Sequence, residues 1–161
     1  MGALRLFVAV RLVVAAGALS PNLPRRPTPT ATAEDVVAAQ MDALAAGDVH
    51  RCFKFASPAN KAATGPWRRF ARMLAENPEY APLVRCSRWE FVGALGVGDG
   101  VKRVDVRVYP AGGSAAPFAG PPRIDYTFGL SRQPAAADGD AAAAAVAGCW
   151  CTDSVVAARG T

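Results

Sequence analysis

The first 33 residues of the chain contain no aspartate and no glutamate. The whole sequence of 161 residues has 18 Lys and Arg against 13 Asp and Glu, a net charge of +5. Arg5, Arg11, Arg25 and Arg26 precede Glu34, so the rest of the chain carries 14 basic against 13 acidic residues. A domain that binds nucleic acid has a clustered basic surface, which a nearly neutral domain lacks. We therefore expect no nucleic-acid partner.

No apolar run is long enough to cross a membrane. The longest, "LFVAVRLVVAAGALS", is interrupted by Arg11, and neither half approaches the ~20 residues that a membrane helix needs. The run "PNLPRRPTPTAT" follows and is typical of an extended linker, because proline cannot continue a helix. The sequence therefore predicts a leader over residues 1–32, a domain over residues 33–161, and no stable membrane span.

The destination of this leader has three interpretations. A leader that contains arginine and no acidic residue is typical of an organelle transit peptide, and this is the interpretation that we favour. Alternatively, "LVVAAGAL" is the apolar region of a secretory signal that follows a basic start. The third interpretation is an uncleaved, disordered tail. We expect an organelle, with secretion as the alternative.

The segment after Thr32 has the periodicity of helices. In "TAEDVVAAQMDALAAGD", Val37, Met41 and Leu44 share one face, and Thr32 is suited to cap the helix. Asp48 is placed to cap a second, short piece, "VHRCFKFA". Proline at the first helical position marks the start of "PANKAAT", and Gly-Pro separates this piece from "WRRFARMLAE".

The second half alternates as β-strands do. "VKRVDVRVYP" and "RIDYTFGLSR" each place apolar residues on one face and polar residues on the other. "CSRWEFVGAL" and "CWCTDSVV" predict two further strands, "GVGDG" a turn, and "PAAADGDAAAAAVAG" a solvated loop. Helices followed by antiparallel strands predict an α+β domain of two layers. We expect its core to include Met41, Leu44, Phe53, Trp67, Phe70, Val104, Val106, Tyr126, Phe128 and Trp150.

The order of these segments resembles an uncharacterised family, known in bacteria, algae and plants and described as a domain of unknown function. The resemblance covers about Ala33 to Val155. Its signature consists of Gln40, Ala43, Leu44, Asp48, "FASP", "TGP" and Phe70. Several plant-type members look like chloroplast proteins, so the resemblance implies that the organelle reached by this chain is a chloroplast. The family is similar to the nuclear-transport-factor-like (cystatin-like cone) group, in which N-terminal helices pack on a curved antiparallel sheet.

The resemblance implies a cone-shaped cavity, which in the wider group is enzymatic, ligand-binding or structural. No activity or catalytic residue is established for the family, so none is carried over. Domains of the wider group often pair through their sheets, which makes a homodimer an expectation by analogy.

The stretch "FASPANKAATGPWRRFARML" has two interpretations. Arg68 and Arg72 are four residues apart and share a helix face opposite Phe70, which favours a solvated face above an apolar stripe. The alternative is a small anion site in which Arg68, Arg69, Arg72 and Lys61 bind a phosphate or a carboxylate.

His50 is the only histidine, so any catalysis based on histidine requires it. A base at this position in the cavity would suit a small isomerase or dehydratase, with Asp48, Asp105 or Asp125 as a partner. The favoured interpretation is a surface or half-buried histidine, because spacing places no acid beside it.

The four cysteines are Cys52, Cys86, Cys149 and Cys151. They lack the Cys-x2-Cys pairs that are typical of zinc sites, and free cysteines are commonly small buried hydrophobes. A disulfide between Cys52 and Cys86 requires an oxidising compartment and would accompany secretion. We predict no metal and no cofactor.

Two functional classes follow. The favoured one is a non-catalytic binding or scaffold domain in an organelle, with a small molecule or a protein as its partner. The alternative is a lyase or isomerase that acts on a small molecule in the cavity. A cavity that holds at least two convergent ionisable groups would favour the enzyme, and an apolar filling would favour binding.

Overall fold

The computed structural model describes residues 22–112, 122–136 and 139–158. Its helices are α1 Ala33–Ala45, α2 Val49–Phe53, α3 Pro58–Thr64, α4 Trp67–Glu76 and α5 Ala141–Ala144. Its strands are β1 Arg88–Gly98, β2 Val101–Tyr109, β3 Ile124–Arg132 and β4 Trp150–Ala157, and a single 3₁₀ turn covers Ala81–Leu83. Four helices followed by an antiparallel sheet confirm the predicted α+β class.

Polar side chains begin the first three helices. Thr32 and Asp35 form a reciprocal capping box at α1, in which each side chain accepts the backbone N–H of the other residue. Asp48 accepts from the Arg51 N–H at 2.9 Å at the start of α2. Ser57 accepts from the Asn60 N–H at 3.2 Å at the start of α3. These bonds satisfy N–H groups that have no partner within their own helix, so the predicted helix starts are confirmed.

The sheet is antiparallel throughout and its strands are ordered β1-β2-β3-β4. Val104, Val106 and Val108 of β2 are fully buried. On the opposite face, the Arg107 guanidinium donates two hydrogen bonds, of 2.7 and 2.8 Å, to the Asp125 carboxylate. The predicted alternation of apolar and charged residues in β2 is therefore confirmed, and it separates a core face from an open face.

The main core lies between α1 and the sheet. Nine of the 13 residues of α1 are buried, among them Met41 and Leu44. Lys102 of β2 forms an ion pair of 3.1 Å with Glu34 and ties the helix to the sheet. Six residues of the predicted core are fully buried: Met41, Leu44, Val104, Val106, Tyr126 and Phe128. The other four, Phe53, Trp67, Phe70 and Trp150, keep part of their surface exposed.

A second, smaller cluster consists of Val146, Cys149 and Cys151. It lies beside α5, whose N-cap Asp140 accepts from the backbone of Ala142 and Ala143 at 3.0 Å. This part of the sequence was predicted as a solvated loop. The segment instead contains the helical turn α5 and the buried Val146. Val146 is buried because the chain returns to the sheet here, directly ahead of β4.

The described part of the leader contacts the domain. Leu23 and Ala31 pack against the main core, and Arg132 donates to the Pro29 carbonyl at 3.4 Å. Residues 1–21 lie outside the described residues. The boundary at residue 32 stays a prediction. Within the described residues, no helix is long and apolar enough to cross a membrane.

Candidate ligand cavity

A cavity of about 630 Å³ lies between the helices and the β4 edge of the sheet. Apolar side chains from both layers form its walls. They include Leu44, Phe53, Phe70, Leu74, Leu83 and Phe128. The walls form because α2 and α4 both present apolar side chains to this space, where the rings of Phe53 and Phe70 pack at 5.2 Å. The volume lies in the range that is usual for small-molecule sites.

The floor of the cavity is a buried hydrogen-bond network centred on Gln40. The Thr152 hydroxyl donates to Gln40 Oε1 at 2.5 Å. Gln40 Nε2 donates to the Cys52 carbonyl at 3.3 Å and contacts Cys52 Sγ at 3.7 Å. Gln40 is 4% and Thr152 1% exposed, so both depend on these partners to replace water. The network joins α1, α2 and β4.

The run "FASP" holds β4 against the helices. Thr152 donates its backbone N–H to the Phe55 carbonyl at 2.9 Å, and its own carbonyl accepts from the Ser57 N–H at 2.9 Å. The Asn60 side chain donates to the same carbonyl at 3.1 Å. The segment therefore forms a short parallel bridge to β4, centred on Ala56. This contact fixes the distance between the two sides of the cavity.

Cys52 lines the cavity but is poorly suited to react there. Burial raises the pKa of its thiol to about 12. The thiolate is the nucleophilic form of cysteine, so the group is neutral near pH 7. With Gln40 and Thr152, it gives the floor three neutral polar side chains.

The mouth of the cavity is polar and carries negative charge. Glu76 ends α4 and Asp153 follows Thr152 on β4; both line the cavity and both are exposed. Asn77 and Ser154 lie beside them. The Tyr80 hydroxyl donates to the Val155 carbonyl at 3.1 Å and closes one side.

The profile of a known family matches residues 27–117 of the 161. Its description is a domain of unknown function, DUF4864. The chain belongs to the DUF4864 family. The matched segment includes Gln40 and Cys52 and ends before Thr152. No protein with a curated function and no solved structure is similar enough to match.

His50 lies outside the cavity in this DUF4864 domain. Its ring is exposed and packs on Trp67, with the two ring centres 5.0 Å apart. Its suggested partner Asp48 caps α2, and another, Asp125, binds Arg107 on the open face of the sheet. A catalytic role for His50 stays a prediction.

The four cations of the predicted anion site have separate surroundings. Lys61 donates to the Lys54 carbonyl at 3.0 Å, and burial lowers the pKa of its ammonium group. The Arg68 guanidinium lies over the Trp67 ring at 5.1 Å. Arg69 packs against Gly65, whose positive φ of 78° favours glycine. Arg72 is exposed. The structure places none of them in the cavity, and the anion site stays a prediction.

All four cysteines of the DUF4864 chain are free and buried. Cys52 and Cys86 belong to the main core, whereas Cys149 and Cys151 form the second cluster. Within the described residues, no group of three His, Cys, Asp or Glu is arranged to hold a metal ion.

The role of Gln40 was not predicted, although the sequence contains a signal for it. Gln40 follows Val36 and Val37 by four and three residues and precedes Leu44 by four, so it lies on the buried face of α1. A polar residue on an apolar face requires a buried partner. Spacing could not identify Thr152 as that partner, because the two residues are 112 positions apart.

Proposed function

We propose that this DUF4864 domain is a non-catalytic binding domain that holds a small, mostly apolar molecule in its cavity. The observation that carries the proposal is the cavity of about 630 Å³, with apolar walls above a polar floor. The Gln40 amide and the Thr152 hydroxyl already bind each other. An apolar ligand therefore leaves no buried polar group without a partner.

The floor favours binding over catalysis. A lyase or an isomerase requires an acid and a base that converge on the substrate. The floor presents an amide, a hydroxyl and a protonated thiol instead. The two ionisable carboxylates of the cavity, Glu76 and Asp153, belong to exposed residues at its mouth and not to the floor, where the apolar walls would hold a substrate. The single histidine is outside the cavity.

We also infer that the domain is related to the nuclear-transport-factor-like cone group. Support comes from the arrangement of its helices, which lie on one face of an antiparallel sheet and enclose a cavity at one end. The relation concerns the fold and assigns no activity, because folds of this kind carry many functions.

We propose further that residues 1–32 direct the chain to an organelle, a plastid in a photosynthetic cell. Four arginines and no acidic residue support this. A fluorescent protein fused behind residues 1–32 should accumulate in the organelle. Fluorescence throughout the cytosol would refute targeting, and export from the cell would favour the secretory alternative.

A neutral apolar dye, N-phenyl-1-naphthylamine, tests the binding proposal. We expect its fluorescence to rise on binding to the purified chain. Met73→Trp should weaken this binding about tenfold, because Met73 lines the cavity and is 43% exposed, which leaves room for a larger side chain without repacking the core.

The matched control is Leu95→Trp on β1. Leu95 is 63% exposed and lies outside the cavity, so this variant should bind the dye like the parent. The proposal is wrong if the parent does not bind the dye, or if the two tryptophan variants bind it equally well.

A further inference from the structure

Every charged side chain that lines the cavity is acidic. Glu76 at the end of α4 and Asp153 on β4 both line it, and both residues are exposed. Within the described residues neither carboxylate has a hydrogen bond or an ion pair. Arg72 precedes Glu76 by four residues, a spacing that permits an ion pair, yet no such pair forms. In the described part of the chain, neither carboxylate is therefore paired with a cation. The Lys61 ammonium group, which lies 5.9 Å from the centre of the Phe53 ring, donates to the Lys54 carbonyl instead.

The end of α4 adds to this negative charge. The last turn of a helix carries a partial negative charge from its unpaired carbonyl groups. α4 has no basic residue in its last turn to offset that charge. Glu76 and the carbonyl groups of this turn consequently both contribute negative charge at the mouth.

The walls behind the mouth are aromatic. Tyr80 follows Asn77 and Pro78 along the lining, and the rings of Phe70 and Phe53 pack against each other. The faces of aromatic rings attract cations, by about 0.5–1 kcal/mol at exposed sites and more where water is excluded. The lining therefore offers a positive group both carboxylates and aromatic rings.

We propose that the ligand is a hydrophobic cation, an amine or quaternary ammonium on an apolar body. The apolar body occupies the cavity and the cationic group lies at the mouth, between Glu76 and Asp153. This inference rests on the proposed function, because it assigns a charge to the ligand of the same cavity. A carboxylate on an equal apolar body would be repelled from the same position.

Three probes that share a ten-carbon chain test the inference: decyltrimethylammonium, decanol and decanoate. Each is titrated against the chain loaded with N-phenyl-1-naphthylamine, in low salt and at about 0.15 M salt. We expect the cation to displace the dye about tenfold better than decanoate, with decanol between them. The difference should shrink at the higher salt, because dissolved ions weaken the interactions between charges that are exposed to solvent.

Variants identify the groups responsible. In Glu76→Gln/Asp153→Asn the preference for the cation over decanoate should disappear, with the uncharged decanol as the reference ligand for each variant. The control, Asp99→Asn/Asp140→Asn, changes the net charge by the same amount outside the cavity, and asparagine still caps α5 at position 140. This control should keep the preference of the parent.

The outcomes separate the two proposals. If decanoate binds as well as the cation, or if the control loses the preference as fully as the cavity variant, the inference is wrong and the binding function stands. If none of the three probes displaces the dye from the parent, the proposed function fails and the inference fails with it.

Discussion

Replacing Thr152 by valine should destabilise the domain through a single hydrogen bond. Valine keeps the shape of threonine and removes the hydroxyl that Gln40 Oε1 accepts at 2.5 Å. A buried acceptor left without a donor costs about 1–3 kcal/mol. Both residues border the cavity, so a water molecule in the cavity can replace the lost donor and recover part of this cost. We therefore expect a loss of about 1–2 kcal/mol in the free energy of unfolding.

Gln40→Leu should cost a similar amount. It removes the acceptor of the Thr152 hydroxyl and the Nε2 donor of the Cys52 carbonyl. In the double variant the hydroxyl and its acceptor are both absent, so no orphaned partner remains between positions 40 and 152. The double variant should therefore lose about 1 kcal/mol less than the sum of the single losses, a coupling typical of residues in contact.

Urea unfolding followed by circular dichroism measures these free energies, and equal slopes verify that each variant unfolds in the same way. Thr127→Val is the matched control. Its hydroxyl donates to Asp105 on the open face of the same sheet, where water can replace it, so the loss should stay below about 0.5 kcal/mol. Additive losses at Gln40 and Thr152, within about 0.3 kcal/mol, would refute a direct bond between them.

Three further predictions follow from burial and charge. In urea unfolding, Phe55→Ala should lower the free energy of unfolding by about 3–5 kcal/mol and Phe70→Ala by about 1–2 kcal/mol. The reason is that Phe55 is fully buried whereas Phe70 borders the cavity. Equal losses would contradict this. Iodoacetamide at pH 8 should label Cys52 only after unfolding, as judged by mass spectrometry, because burial raises its pKa to about 12. The hydrogen bonds from Arg107 lower the pKa of Asp125 in the folded domain. They therefore stabilise the folded domain fully above pH about 3.9, the pKa of aspartate in an unfolded chain. This stabilisation is lost as the pH falls through the lower pKa of the folded domain. Arg107→Gln should therefore be less stable than the parent at pH 6, with a smaller difference near pH 3; a constant difference would contradict this.

The helices were predictable because their signals are local. The Thr32 side chain and the Asp35 N–H that it caps are three residues apart, so one short stretch of sequence contains the whole interaction. Ser57 and Pro58 mark the start of α3 in the same way. The alternation of β2 is also local, and it identified the buried face of the sheet.

The cavity was not predictable from spacing because its walls come from distant parts of the chain. Phe53 and Phe70 were expected in a filled core, and they do occupy the apolar face of their helices. Their rings remain partly exposed because they border open space rather than packed atoms. Periodicity gives the direction in which a side chain points, but it does not say whether another side chain fills the opposite position.

The sequence separation of Gln40 and Thr152 also determines when, during synthesis, the cavity can be completed. The two residues are 112 positions apart, which corresponds to about 6–22 s of translation at 5–20 residues per second. Helices α2 to α4 are synthesised during that interval, whereas β4, which forms one wall of the cavity, is made only at its end. The apolar faces of α2 and α4 are then uncovered on the nascent chain. A chaperone that binds exposed apolar helices would act in this interval, and a ligand could bind only after β4 had joined the sheet.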